Sequence, residues 1–381
     1  MLNENLAYSI SVQDSRWRQI AERYVADIHS GRLGPGDRLP SDAALAEITG
    51  VSRVTAHKAL AELHRLGLVT RDGRRGTIVS SKAEQSTGRI ALVLDQVALH
   101  RDFPRADLLG GLHEGLGQSH SLLWCDSMLD ADREADFLQR MPKETDGIIC
   151  WPTGHSKSTA ALNDLPKRNV PLVLIDRIPK DVHAHAVISD SASAAREALK
   201  FLVDRGHRRI ALLAFDKPHV SAAVERVRAY SDFMVEHDLP TAGIDRRFPA
   251  ALEFDPSGWF NQAVHDTIFT LVKSPEPITA ILCAQDMFCA AALSAVDRIG
   301  LAIPDDLEIA SFNDWPLQLL GRPWQVHRIH TQAAEIGRTA AEILRSQIAG
   351  EWTVPAVHRI PAIFVPADAG ISQLSPDRSP Q

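Results

Sequence analysis

Cysteine is scarce in this chain. Its four residues, Cys125, Cys150, Cys283 and Cys289, form no Cys-x-x-Cys pair, which excludes a zinc ribbon or a dithiol redox centre. Three of them lie in or beside apolar runs that read as strands, the setting of buried thiols in a reducing compartment and not of a disulfide frame. No apolar run approaches the roughly 18–20 residues that span a bilayer. The N-terminus, Met1-Leu-Asn-Glu-Asn-Leu6, lacks the basic start and apolar centre of a signal peptide, so a cytoplasmic location is expected. Catalytic signatures are missing too. Gly110–Gly117 is glycine-rich but has no Gly-Lys-Ser/Thr and falls inside a helical pattern, and no Gly-x-Ser-x-Gly elbow occurs. His183-x-His185 has no third ligand near it in the sequence. The expectation is a protein that binds and does not catalyse, without cofactor or metal.

At 381 residues the chain is long enough for two or three cores, and its hydrophobic content of 45% is ordinary for a globular protein. The most informative stretch runs from Leu39 to Leu60. Pro40 and Ser41 mark a helix start, Gly50 permits a tight turn, and Ser52 caps a second helix. In that second helix Ala56, Ala59, Leu60 and Leu63 recur at i, i+3, i+4 and i+7, one buried stripe. Arg53, Thr55, His57, Lys58 and Arg65 lie off it. Upstream, Trp17, Ile20, Ala21, Tyr24, Val25 and Ile28 form another helical stripe that ends at Gly31. Downstream, Gly67–Val79 reads as a hairpin with Arg74 and Arg75 near its tip. Together these make a winged helix-turn-helix, whose second helix enters the major groove of DNA.

Charge divides the chain. Residues 1–82 hold 12 Lys+Arg against 9 Asp+Glu, a net of +3, which leaves −10 for the remainder of a chain whose total is −7. A mildly basic head on an acidic body favours local contact with DNA over general adhesion to it. With no strongly basic stripe, affinity is expected to rely on two copies acting together, each neutralising a few phosphates.

After a polar stretch from Ser80 to Gly88 the pattern alternates. Short apolar runs (90–94, 122–125, 147–151, 172–176, 186–189, 210–215, 278–284 and 307–312) are separated by amphipathic helical stretches such as 107–117, 191–206, 221–236 and 287–300. Alternation over about 280 residues implies an α/β body with parallel sheets covered on both faces, better divided into two lobes than built as one open sheet. Ligands in such folds bind beyond the carboxyl ends of the strands.

These motifs carry two resemblances. Residues 16–79 resemble the DNA-binding domain of the GntR family, through Leu39-Pro40-Ser41, Val51-Ser52-Arg53-x-Thr55, Lys58-Ala59-Leu60, Leu63, Gly67-Leu68 and Arg75-Gly76-Thr77. This chain has Ala43 and His57 where the family often has arginine, which implies fewer bidentate guanine contacts. Residues 89–368 resemble the effector domain of the LacI/GalR repressors, itself like a periplasmic sugar-binding protein. The matching pieces are Asp146–Ile149, Pro171–Arg177, Ser189-Asp190, Gly206–Leu212, Arg226, Ala284–Asp286, Gly300–Asp306, Ser311–Asp314 and Gly337. A GntR-type head on a LacI-type body is the arrangement of arabinose-repressor-like regulators.

The resemblances imply DNA contacts from Ser41, Ser52, Arg53, Thr55, His57 and Lys58, with Arg74, Arg75, Gly76 and Thr77 on the wing. In the body, Asp95, Trp151 and Asp176 end strands and should face the cleft. Arg226 stands where the family grips effector from the second lobe, Gln285 where it usually has asparagine, and Asn313 where it has aspartate. Carboxylates, an arginine and an aromatic face suit a polyol. Plainer roles stay open: Asp95 and Asp176 as helix caps, Trp151 as core, Arg226 in a structural ion pair.

The expected organisation is a winged helix-turn-helix over 1–79, a linker over 80–88, a two-lobed effector-binding domain over 89–369 and a disordered tail over 370–381. The expected function is that of a homodimeric transcriptional repressor, binding a pseudo-palindromic double-stranded operator under control of a sugar-like effector, with no membrane partner. A metabolite-binding module whose head docks protein instead of DNA is the alternative.

Overall fold

The computed structural model describes residues 4–30, 32–72, 76–80, 87–95, 104–117, 120–254, 257–312 and 324–367. The head opens with α1 (Glu4–His29), longer at its start than the stripe from Trp17, and continues with α2 (Asp42–Thr49) and α3 (Arg53–Arg65). Ser41 Oγ accepts from the Ala44 amide and Ser52 Oγ from the Thr55 amide, so both cap signals act as written. Gly50 closes α2 in the left-handed region at φ 66°, which makes the turn between the helices. Ala56, Ala59, Leu60 and Leu63 are fully buried, and Ala56, Leu60 and Leu63 share one core with Val25, Ile28 and Leu45. Strands β1 (Val69–Asp72) and β2 (Gly76–Val79) pair antiparallel as the wing.

The body holds two six-stranded sheets. The first lobe orders its strands β13 (Val357–Pro361), β7 (His185–Asp190), β6 (Leu172–Ile175), β5 (Gly147–Cys150), β3 (Arg89–Leu94) and β4 (Ser121–Asp126), all parallel. The second orders β14 (Ile363–Val365), β12 (His327–His330), β11 (Glu308–Phe312), β10 (Ala280–Cys283), β8 (Ile210–Asp216) and β9 (Asp245–Pro249), parallel except for β14. Helices α4 (Pro104–Leu116), α5 (Ala131–Arg140), α6 (Thr159–Lys167) and α11 (Ala333–Ile348) cover the first sheet, and α7 (Ser191–Asp204), α8 (Ser221–Glu236), α9 (Trp259–Val272) and α10 (Asp286–Ile299) the second.

The chain crosses between lobes three times: from β7 into α7, from β12 into α11, and from β13 into β14. Each of the eight apolar runs read from the sequence is a strand, and four further strands gave no such run: β9, β12 and β13 are interrupted by charged residues or histidines, and β14 is only three residues long. The glycine-rich run lies in α4, where Gly111 and Gly115 let α11 approach. A Cβ on Gly111 would stand 1.8 Å from the Ala334 carbonyl oxygen, and one on Gly115 2.6 Å from Ala341 Cβ.

The expected tail and the centre of the expected linker lie outside the described residues, as do Arg74, Arg75 and Asn313. Among the described residues no helix is long and apolar enough to cross a membrane.

Candidate DNA-binding head and effector cleft

On the head, capping fixes which side of α3 faces out. Arg53, His57 and Lys58 are exposed on one face, together with Val54, a large apolar side chain left 67% accessible. A helical motif gave no reason to single out Val54, yet an exposed valine beside basic residues can meet a thymine methyl in the major groove. Thr55 lies elsewhere: it is buried, and its hydroxyl is 2.8 Å from Ser52 Oγ, so it serves the cap. His57 Nδ1 donates to Asp42 at 2.8 Å, and Arg71 reaches the other oxygen of the same carboxylate at 3.3 Å. Asp42 therefore ties α2, α3 and the wing together and takes up part of the charge expected for DNA. Ser41 is exposed at the start of α2, and Gly76, at φ 82°, and Thr77 open the second wing strand.

Between the lobes lies a cavity of about 370 Å³. From the first lobe come Asp95, Trp151, Thr153, His155, Asp176 and Arg177. The second supplies Phe215, Lys217, His219, Arg226, Glu253, Gln285 and Asp286, and the crossover at Thr331 with the first turn of α11 closes the floor. The strand ends thus deliver Asp95, Trp151 and Asp176 to one wall and Arg226 and Gln285 to the other.

Charges in the cavity are mostly paired. Arg177 bonds Asp95 at 3.0 Å and Asp176 at 3.2 Å, and lies over the Trp151 ring. Asp176 sits at φ 66°, a left-handed conformation that costs a non-glycine residue and that aspartate tolerates better than most. Among the described residues no helix is capped by either carboxylate. Lys217 bonds Glu253 and packs over the Phe215 ring. Arg226 differs. It donates to the Ala284 carbonyl at 2.7 Å and to Ser191 Oγ at 3.3 Å, with its guanidinium 4.2 Å from the Phe312 ring centroid. Among the described residues no carboxylate stands within ion-pair distance of it. Burial lowers its pKa from the usual arginine value, against the pull of Asp176 and Asp286. Trp151 is half-buried, packed on the core beneath while it lines the cavity above.

Sequence reasoning missed Arg177, Lys217, Glu253, His155, His219 and Glu134. Arg177 follows Asp176 directly and could have been found from the same strand end. Lys217 and the two histidines sit in aperiodic loops, Glu253 in a short 3-10 turn at Ala250–Phe254, and none carried a signal. Glu134 is buried under the loop after β5, where it accepts from the Thr153 amide at 2.5 Å. Burial raises its pKa, opposed by the hydrogen bonds from Thr153.

The lobes meet across the cleft. Ser221 Oγ accepts from the Ile178 amide at 2.9 Å, and Arg359 grips Glu225 with two bonds of 3.0 and 3.1 Å. The His155 and His219 rings face each other at 4.8 Å. Gly154 allows this approach: a Cβ there would stand 2.4 Å from the His219 carbonyl oxygen. Burial lowers the pKa of His219, helped by His155, Lys217 and Arg177.

A winged helix-turn-helix joined to a two-lobed body with an interlobe cleft is the architecture suited to a ligand-responsive DNA-binding regulator. Residues 17–79 match the bacterial regulatory proteins of the gntR family, and residues 199–366 match the periplasmic binding protein-like domain. The arabinose metabolism transcriptional repressor of Geobacillus stearothermophilus is 26% identical over 341 residues, 87% of this chain and 91% of its own. The transcriptional repressor PurR of Aliivibrio salmonicida is 25% identical over 235 residues, 61% of this chain and 66% of its own. In fold the chain is similar to the transcriptional regulator CelR in its cellobiose complex, with TM-score 0.63 at 19% identity over 87% of this chain and 100% of that one. A LacI-family regulatory protein from Chloroflexus aggregans aligns with TM-score 0.62 at 22% identity over 74% and 99% of the two chains. The chain is a transcriptional regulator whose head matches the gntR-family regulatory proteins and whose body matches the periplasmic binding protein-like domain. The protein-docking alternative for the head finds no support among these relatives.

Proposed function

We propose that this regulator is a repressor whose cleft takes a neutral sugar-like polyol and that it acts by binding, without turnover. The composition of the cavity carries this reading. Its described lining holds four carboxylates, Asp95, Asp176, Glu253 and Asp286, against three permanent cations, Arg177, Lys217 and Arg226. With one more carboxylate than cation, a phosphate or uronate would enter against the field, whereas hydroxyls can bridge between donors and acceptors already in place. Trp151 and Phe215 supply the aromatic faces that cover sugar C–H surface. The arabinose repressor, the cellobiose complex and a LacI-type regulator bound to D-xylulofuranose favour the same ligand class.

On DNA, Arg53, Val54, His57 and Lys58 enter the major groove while Thr77 and the wing approach the backbone, in a cytoplasmic homodimer on a pseudo-palindromic site. Exposed Trp124 on β4, the free edge of the first sheet, supports a second copy. A thermal-shift screen tests the ligand class. L-arabinose, D-xylulose, cellobiose, D-glucuronate and glucose 6-phosphate are compared, and a ligand at 100 times its Kd adds about 2.7 kcal/mol, a shift of a few degrees. A shift with a neutral sugar supports the reading, and a shift confined to the acids or phosphates overturns it.

A further inference from the structure

Helix α11 touches both working parts of the molecule. Its first turn follows the crossover between the lobes, where Gln332 lies in the left-handed region at φ 57°, and Ala333 and Ile336 wall the cavity. Twelve residues after Ala333, roughly 18 Å along the helix axis, its last turn meets the head. There Arg345 Nη2 donates to Glu62 Oε1 of α3 at 2.9 Å while Nη1 donates to the Gly115 carbonyl of α4 at 2.6 Å. The pair is largely shielded, with side-chain exposures of 11% for Arg345 and 21% for Glu62. Beside it, Gly67 at φ 69° packs where an added Cβ would be 3.3 Å from Ala349 Cα. Ser80 Oγ donates to the Gly67 carbonyl at 2.8 Å, which ties the end of the wing to the same point.

Helices α4 and α11 interlock over their length through Gly111, Gly115 and Gly337, none of which leaves room for a side chain. A pair so closely packed moves as one piece. Glu62 lies at the C-terminal end of α3, so docking there leaves the exposed N-terminal residues Arg53, Val54, His57 and Lys58 clear.

We propose that the C-terminal end of the α4–α11 pair is an intramolecular docking surface for the DNA-binding head, latched by Arg345 and Glu62 and fitted by Gly67. The orientation of α3 is then set by the helix whose first turn walls the cleft. This rests on the reading of head and cleft as DNA and effector sites, but the docking itself needs neither ligand to be measured.

The test is the distance between spin labels on the full chain, at Glu47→Cys in the head and Gln139→Cys in the first lobe, both exposed. The four native cysteines are buried, so labelling falls on the introduced pair. Docking gives one narrow distance distribution. Arg345→Glu, which sets two carboxylates against each other, broadens it, and the exchange Glu62→Arg with Arg345→Glu narrows it again. The exchange pair keeps the result readable if the single variant folds poorly. A distribution that is already broad in the parent, or unchanged by Arg345→Glu, or not restored by the exchange, overturns the latch while leaving the DNA and effector readings standing.

Discussion

Among the described residues Arg226 hydrogen-bonds only to the Ala284 carbonyl and the Ser191 hydroxyl, in a cleft where Arg177 and Lys217 are each matched by carboxylates. A buried guanidinium so placed gains most from an acceptor that arrives with the ligand. Arg226→Ala should therefore weaken effector binding by on the order of 2 kcal/mol, some thirtyfold in Kd, and leave operator affinity intact. Calorimetric titration of both proteins with the sugar found by the screen checks this, and equal affinities would misplace the site. On the head, Arg53→Ala should cost roughly 1–3 kcal/mol of specific DNA binding if its exposed side chain reads a base. An unchanged gel-shift titration would remove it from the interface. His219 makes the cleft sensitive to pH. Burial depresses its pKa, helped by His155, Lys217 and Arg177, so the closed cleft favours the neutral ring. Closure is then fully supported above the usual histidine pKa near 6.5 and loses support as pH falls below it. Sugar affinity should drop between pH 7.5 and 5.5, and His219→Gln should flatten that drop. Strand ends made Asp95, Trp151 and Asp176 legible in the sequence. Lys217 and Glu253 were not, because two loops 36 residues apart meet only once the second lobe has folded.

At the scale of elements, two neighbouring glycines of α4 pull in opposite directions. Gly110 is exposed, with nothing within 4 Å of an added Cβ, so Gly110→Ala should stabilise by about 0.5–1 kcal/mol through helix propensity. Gly111→Ala gains the same propensity but drives its methyl to within 1.8 Å of the Ala334 carbonyl oxygen. Overpacking of that kind costs about 1–3 kcal/mol or more, so it outweighs propensity and the variant should be less stable. Urea denaturation of the two variants gives the signs directly. The same run illustrates what periodicity reveals and hides. Its helical pattern was plain, but only the tertiary approach of α11 explains why glycine recurs there. Core strands such as β5 and β6 were legible because both faces are buried, whereas β13, with Val357 and Arg359 on a half-exposed edge strand, reads as polar chain.

Over the whole molecule, the mildly basic head and the acidic body divide the work that composition suggested. Contacts across the cleft at Arg359–Glu225 and Ile178–Ser221 hold the lobes together in this structure, and α11 runs from that cleft to the head. A ligand can shift the head only by as much as it binds one arrangement of the lobes better than the other. Coupling between such sites is typically 1–3 kcal/mol, or 5- to 150-fold in affinity. The measurement that bears most directly on this is a fluorescence-anisotropy titration of the full chain against a duplex selected from random sequence, with and without a saturating amount of the sugar found by the screen. The expected result is an operator Kd that changes at least fivefold with sugar present. Identical binding curves under both conditions would contradict it, because the cleft would then hold a ligand the head does not feel.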